Sequence, residues 1–312
     1  YLVVLAFGCG LHFLNNRHLK LYGHQIPPEF AGALDPETLS KSSDYTLTKG
    51  QVSLVQSLFD SALTLLFVYG GLMAWYDTWL GSYPLHFISA GLVFFLLLSL
   101  VKSLTDLPFD LYNHFKIETR FGFNHMSFKL WCVDMIKSLL LSTLFFVLLA
   151  SAAFWLIQAA PATWWLWIWG LIVGFSLLMM VISPYVIEPL FFKFLPLEVE
   201  GLEENIRVMM GKAGLSVSKV LQVDASKRSG HSNAYFTGIG KQKRVVLFDT
   251  LLEQLSKEEI LAVLAHELGH MKKKHILKRM VMMTAIALFY CWLAHTLIGW
   301  PGLPLLVGMD DA

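Results

Sequence analysis

The stretch Ser256–Trp300, SKEEILAVLAHELGHMKKKHILKRMVMMTAIALFYCWLAHTLIGW, carries two kinds of structure in one run. Ser256-Lys257-Glu258-Glu259 reads as a capping box. In such a box the serine accepts from an early helix N–H while the glutamate reaches back to the serine N–H. Ile260, Leu261, Val263, Leu264 and Leu268 then recur at helical spacing, which predicts an amphipathic helix. Lys272, Lys273 and Lys274 mark the cytoplasmic edge of an apolar run, Met280–Trp300, long enough to cross a bilayer.

Working outward, the 312 residues are 55% hydrophobic and only 15% charged, with a mean hydropathy of +0.56. A soluble domain averages about 25% charged residues, so lipid is the solvent for most of this chain. The net charge of +1 is uninformative, and nothing argues for nucleic acid. Cys9, Cys132 and Cys291 lie in apolar stretches and form neither a metal motif nor a disulfide framework. The apolar run Tyr1–Leu14, which lacks an initiator methionine, reads as the tail of a first span. Further spans are expected near Leu54–Trp79, His86–Leu104, Met135–Ile157, Trp164–Ile187 and Met280–Trp300. Trp155, Trp164, Trp165, Trp167 and Trp169 cluster around one short turn, as in an aromatic belt.

Polar segments at Asn15–Ser53 and Thr105–Lys129 read as loops, and Glu188–Arg279 is the one polar stretch large enough for a compact domain. The expected organisation is transmembrane helices and loops over 1–187, a cytoplasmic metal-binding domain over 188–278, and a further span in 279–312. The first, third and fifth loops, with their flanks, contain or adjoin all 24 Lys and Arg, and the intervening connections contain none. Basic residues accumulate on the cytoplasmic side, which places the polar block there. Asp60, Lys102, Asp134, Lys137 and Glu188, within or near spans, are expensive in lipid unless they pair or face a cavity. Asp134 and Lys137 are three apart and suited to pairing with each other.

On the capped helix sits His266-Glu267-Leu268-Gly269-His270. Residues four apart share a helix face, so His266 and His270 can aim imidazoles at one ion. Glu267, one position along, can reach a water on that ion without ligating it. Two imidazoles and one carboxylate suit zinc and leave a position open for water, the catalytic kind of site. A zinc-dependent endopeptidase with one Zn2+ per chain follows. The competing reading is two solvent-facing histidines on a surface helix. His275, taken as part of the same helix, points away from His266 and is a poor third ligand, better placed for a supporting or surface role.

Upstream, Val217–Val223 and Arg244–Phe248 read as short strands. Between them Asn233, Ala234 and Tyr235 are candidate substrate contacts, because a strand beside the metal can pair with an extended peptide. A plain polar hairpin is the alternative.

With these residues in view, the sequence resembles the type I CaaX prenyl endopeptidases, integral-membrane zinc proteases, and more distantly the bacterial quality-control protease HtpX. The resemblance rests on Leu107-Pro108-Phe109-Asp110 with Tyr112, Ile117–Asn124, Ile187–Phe191, Leu195–Glu198, Ser232–Phe236, Leu247–Leu252 and His266–His270, and covers nearly the whole chain. It implies a mainly α, polytopic membrane protein: a helical transmembrane chamber with a small α+β zinc metalloprotease domain. It implies removal of the aaX tripeptide from prenylated Cys-a-a-X proteins, with Asn233 on the substrate side. The family's third zinc ligand is a glutamate after one more span, expected here beyond Ala312. Asp310 and Asp311 are poor candidates, since they follow the sixth span and fall on the opposite side.

The partners expected are therefore a peptide or prenylated protein and the lipid bilayer, with no oligomer required. The membrane is a bacterial inner membrane or an endoplasmic reticulum, with the active site on the cytoplasmic side. The alternatives are a broad-specificity quality-control protease of HtpX type, a non-catalytic membrane scaffold, and a transporter built on the intramembrane charges.

Overall fold

The structure is a computed structural model and describes residues 1–32, 34–238 and 242–302. It forms two compact units, one built around Tyr1–Asn124 and the other His125–Trp300. The fold class matches the sequence expectation: mainly α and polytopic, with one small mixed sheet. Five helices among the described residues are long and apolar enough to cross a membrane, and their most apolar windows are almost wholly unburied within the protein.

In the first unit, helices α1 (Leu2–Tyr22) and α2 (Pro36–Tyr69) are followed by α3 (Leu72–Gly81) and α4 (Phe87–Tyr112). A π-helical stretch, Asn113–Glu118, prolongs α4, making one candidate span of Phe87–Phe121. Three sequence expectations change here. Asn15–Ser53 is largely helical rather than a loop, because α2 starts at a strong N-terminal signal: Asp35 caps it by accepting from Thr38 N–H at 2.9 Å, Pro36 occupies the first turn and Glu37 follows. The span expected at Leu54–Trp79 breaks at Gly70-Gly71, where φ of +81° at Gly71 suits glycine alone. Thr105–Lys129 is helical as far as Phe121. Hydropathy detects only the apolar part of a helix, so it missed the polar extensions of both spans. The two span charges singled out from the sequence in this unit, Asp60 and Lys102, are paired. Lys102 Nζ donates to Asp60 at 2.9 Å and Asp106 at 2.5 Å, and Tyr45 Oη and Lys49 Nζ both donate to Glu118.

In the second unit, α5 (Phe128–Ala159) and α6 (Trp164–Ile182) form an antiparallel pair across a four-residue turn. A π-helical stretch (Ser183–Ile187) and the turn Glu188–Phe191 complete the candidate span Trp164–Phe191. The polar block then folds as β1 (Phe194–Pro196), α7 (Leu202–Lys212), β2 (Ser216–Val223), β3 (Ala234–Thr237), β4 (Gln242–Phe248), α8 (Asp249–Gln254) and α9 (Lys257–Lys272). The last span is α10 (His275–Ile298), which Trp169 of α6 holds by donating its indole N–H to Thr284 O at 3.0 Å. The sheet order is β1-β2-β4-β3, with β2 and β4 parallel and the two outer strands antiparallel to their neighbours.

Strand alternation sends Val245 and Leu247 to one sheet face and Arg244 and Val246 to the other. The first face, with Val220 and Ala234, packs against Leu202, Ile206 and Met210 of α7 and Ile260, Leu264 and Leu268 of α9, forming the largest apolar core. The second face carries Val223 and Val246 and is covered by Phe192 and Phe194. The polar block is tied to α5 by Arg228, whose guanidinium grips Asp134 at 2.7 and 3.2 Å. Lys137, the partner expected from spacing, also lies within ion-pair range of Asp134 at 4.0 Å, and it donates a hydrogen bond to Leu190 O at 2.8 Å.

Candidate metal centre

The capping box is present as read: Ser256 Oγ accepts from Glu259 N–H, and the Glu259 carboxylate accepts from Ser256 N–H at 2.8 Å. Donation to the carboxylate from Ser256 N–H, and then from the Ser256 hydroxyl, holds the Glu259 carboxyl below the usual range. Ile260, Leu264 and Leu268 bury one stripe of α9 and fix the rotation of the helix about its axis. His266 and His270 therefore leave it on the other side, both exposed, with Glu267 half-buried between the two faces. Their Nε2 atoms converge to 3.1 Å.

That separation is a test of fit for zinc. Two ligands about 2.0–2.1 Å from one ion, at a tetrahedral angle, stand roughly 3.3 Å apart. The donor pair is within a few tenths of that value and is of the chemistry zinc prefers. Among the described residues no third His, Cys, Asp or Glu joins the pair. Asp310 and Asp311 lie outside the described residues.

His275 takes a different position from the one its spacing predicts. α9 ends at Lys272, and Lys274 turns the chain with φ of +55°, so His275 opens a new helix instead of continuing the old one. This reversal brings His275 Nδ1 to 2.9 Å from His270 Nδ1, on the side of the ring remote from Nε2. The sequence carried no explicit signal for that contact, since three consecutive lysines are good helix formers.

Asn233 directly precedes the edge strand β3, next to α9. Its Oδ1 accepts from Ala234 N–H at 2.8 Å and its backbone carbonyl accepts from Phe248 N–H at 3.0 Å. The segment before it is anchored to α8: Thr250 Oγ1 donates to His231 O, Gln254 Nε2 to Gly230 O, and Ser232 Oγ to Gln254. Asp249 ties the same loop from below, accepting from Ser226 N–H at 2.8 Å. Ala234 is buried in the core shared with α9. The Tyr235 ring lies on the second sheet face, where its hydroxyl donates to Glu188 at 2.6 Å. Burial first, and then that carboxylate, push the phenol well above its usual range.

The comparisons with known proteins agree with this architecture. Residues 15–193 match the CAAX prenyl protease N-terminal family, described as five membrane helices, and residues 196–303 match peptidase family M48. The CAAX prenyl protease 1 of Saccharomyces cerevisiae is 35% identical, over 89% of this chain and 64% of its own length. The human homolog is 33% identical, over 96% of this chain and 73% of its own length. The crystal structure of S. mikatae Ste24p superposes with a TM-score of 0.87 at 33% identity, covering 95% of this chain and 70% of that one. The chain thus spans somewhat under two thirds of the yeast relative and nearly three quarters of the human one. With five candidate spans and the two matched regions in this order, the chain is a multi-pass integral-membrane member of peptidase family M48, of the CAAX prenyl protease type.

Proposed function

We propose that this protein is a zinc metalloendopeptidase that removes the C-terminal aaX tripeptide from prenylated proteins. The observation that carries the reading is the convergence of His266 and His270 Nε2 on a capped helix packed beside a sheet edge. The relatives named CAAX prenyl protease 1 supply the substrate class. No observation favours the HtpX-type, scaffold or transporter alternatives. Of the charges that motivated a transporter, Asp60, Lys102 and Asp134 are engaged in ion pairs, and Glu188 accepts from the Tyr235 hydroxyl.

His266 and His270 would hold the zinc. When bound, the ion would supply Lewis acidity for a water and for the scissile carbonyl. Glu267 accepts the water proton and returns it to the leaving amine. No described donor occupies the Glu267 carboxylate, so it is free for that exchange. Asn233, Ala234 and Tyr235 would meet the substrate through the backbone of β3, whose outer edge can take an extended peptide as an added strand. The hydrogen bonds from α8 hold that edge in place, which lowers the entropy lost on alignment. The domain layout proposed with it is membrane helices over 1–187, the metallopeptidase domain over 188–278 on the cytoplasmic face, and a further span in 279–312.

The test compares the full-length protein with its Glu267→Gln variant on a farnesylated Cys-a-a-X peptide, with zinc content measured in parallel. Turnover should fall by about 10²–10⁴-fold at unchanged zinc. Full activity in the variant, or absence of zinc from the active protein, would sink the assignment.

A further inference from the structure

Among the described residues Arg244 has no ion-pair partner. Its side chain lies on the sheet face opposite α9 and is only 7% exposed. Nη1 donates to Pro184 O at 2.9 Å, while Nε has no hydrogen-bond partner among the described residues. The guanidinium rests 4.4 Å from the Phe194 ring centroid and 5.7 Å from that of Tyr185. Among the described residues no carboxylate pairs with it. Glu188, on the same face, accepts from the Tyr235 hydroxyl. A guanidinium this deeply buried is normally paired, because desolvating a lone charge is unfavourable.

Beside it lies a recess of about 600 Å³. Its lining includes Arg244, Lys219 and Ser218 and contains no acid. The remaining wall is proline, aromatic and aliphatic, and Pro184, Tyr185 and Pro189 come from the last turns of the candidate span Trp164–Phe191. Two cations, one hydroxyl and an apolar wall thus meet at the end of a membrane span. That combination suits an anionic head with apolar material attached. A guanidinium presents its donors as a fork that matches phosphate oxygens, and Lys219 adds a second positive charge. Strand alternation separates this recess from the metal helix, since Val245 and Leu247 face α9 while Arg244 and Val246 do not.

We propose that this recess is a second ligand site, which binds a phosphate group through Arg244 and Lys219. The phosphate is presented by an anionic phospholipid or comes free from solution. The proposal does not depend on the peptidase reading.

The experiment uses the full-length protein, purified from neutral phosphatidylcholine vesicles with and without phosphatidylglycerol. Retained lipid is read by native mass spectrometry, and the thermal midpoint is compared in inorganic phosphate and in chloride of equal ionic strength. Wild type should retain phosphatidylglycerol over phosphatidylcholine by on the order of tenfold. Lys219→Ala should lower that several-fold, and Arg244→Gln should abolish it. If Arg244→Gln does not fold, Lys219→Ala and Ser218→Trp, which fills the recess, carry the comparison. Lipid enrichment without a response to inorganic phosphate assigns the site to a headgroup. Stabilisation by inorganic phosphate without enrichment assigns it to the free anion, and both results uphold a phosphate site. The proposal is overturned if wild type shows neither effect, or if the effects persist unchanged in the folded variants.

Discussion

Replacing Asp134 by asparagine should destabilise the His125–Trp300 unit by about 3 kcal/mol, the low end of what loss of one partner from a buried pair costs. Asp134 and Arg228 side chains are each only 13% exposed, and the contact is two-pronged, Nε to Oδ2 at 2.7 Å and Nη2 to Oδ1 at 3.2 Å. Two neighbours adjust the cost in opposite directions. Lys137, 4.0 Å from Asp134, would be left facing Arg228 with no anion between them. The Phe192 ring, 4.7 Å from the guanidinium, offers the stranded cation a partial substitute. Lys137→Ala is the control: that side chain is 42% exposed, and its loss should cost under about 1 kcal/mol. By soluble-domain scaling the Asp134→Asn effect corresponds to a fall of roughly 6–12 °C in the thermal midpoint, measured in detergent or nanodiscs. A double-mutant cycle with Arg228→Met should return a coupling of about 2 kcal/mol or more. The reasoning fails if Asp134→Asn costs no more than Lys137→Ala, or if the coupling is below about 0.5 kcal/mol.

Ser256→Ala should cost about 1 kcal/mol, measured by thermal unfolding, because it removes the N-cap of α9. The Glu259 carboxyl is lowered in the folded state, so the stability it contributes is present above the usual carboxylate range and is lost as pH falls through the folded value. Glu259→Gln should remove that acid limb from the profile of midpoint against pH, and an unchanged profile would contradict the box. Tyr235→Phe acts at the other end of the scale. The folded phenol is raised, so its contribution is complete below about pH 10 and declines as pH rises towards the folded value. The phenylalanine variant should lose about 1–2 kcal/mol at neutral pH and show a shallower alkaline decline. His275→Ala, which deletes the partner of the His270 Nδ1 atom, should weaken zinc binding by roughly 10–100-fold in a chelator competition on the full-length protein. Equal affinity would reduce the contact to packing.

Features that depend on short-range pattern were legible in the chain alone. The capping box, the helix with its two histidines, the strands at 217–223 and 244–248 and the apolar cores of the spans all follow from periodicity, spacing and composition over fewer than thirty residues. The motifs along the chain were also sufficient for the family. Where the reading went astray, the cause was a local signal that hydropathy overrode: Asp35-Pro36-Glu37 announces a helix start, and Gly70-Gly71 a break, but a window average sees neither. Only the tertiary structure decided which charges meet. Asp134 binds Arg228, ninety-four positions away, at 2.7 Å, closer than the 4.0 Å to Lys137 three positions away. A turn at Lys274 puts His275 behind His270, and on the second sheet face Arg244 Nε has no hydrogen-bond partner among the described residues. A side chain's partner across long sequence separation is set by how elements dock, and docking depends on the whole packed surface, which no spacing rule along the chain encodes.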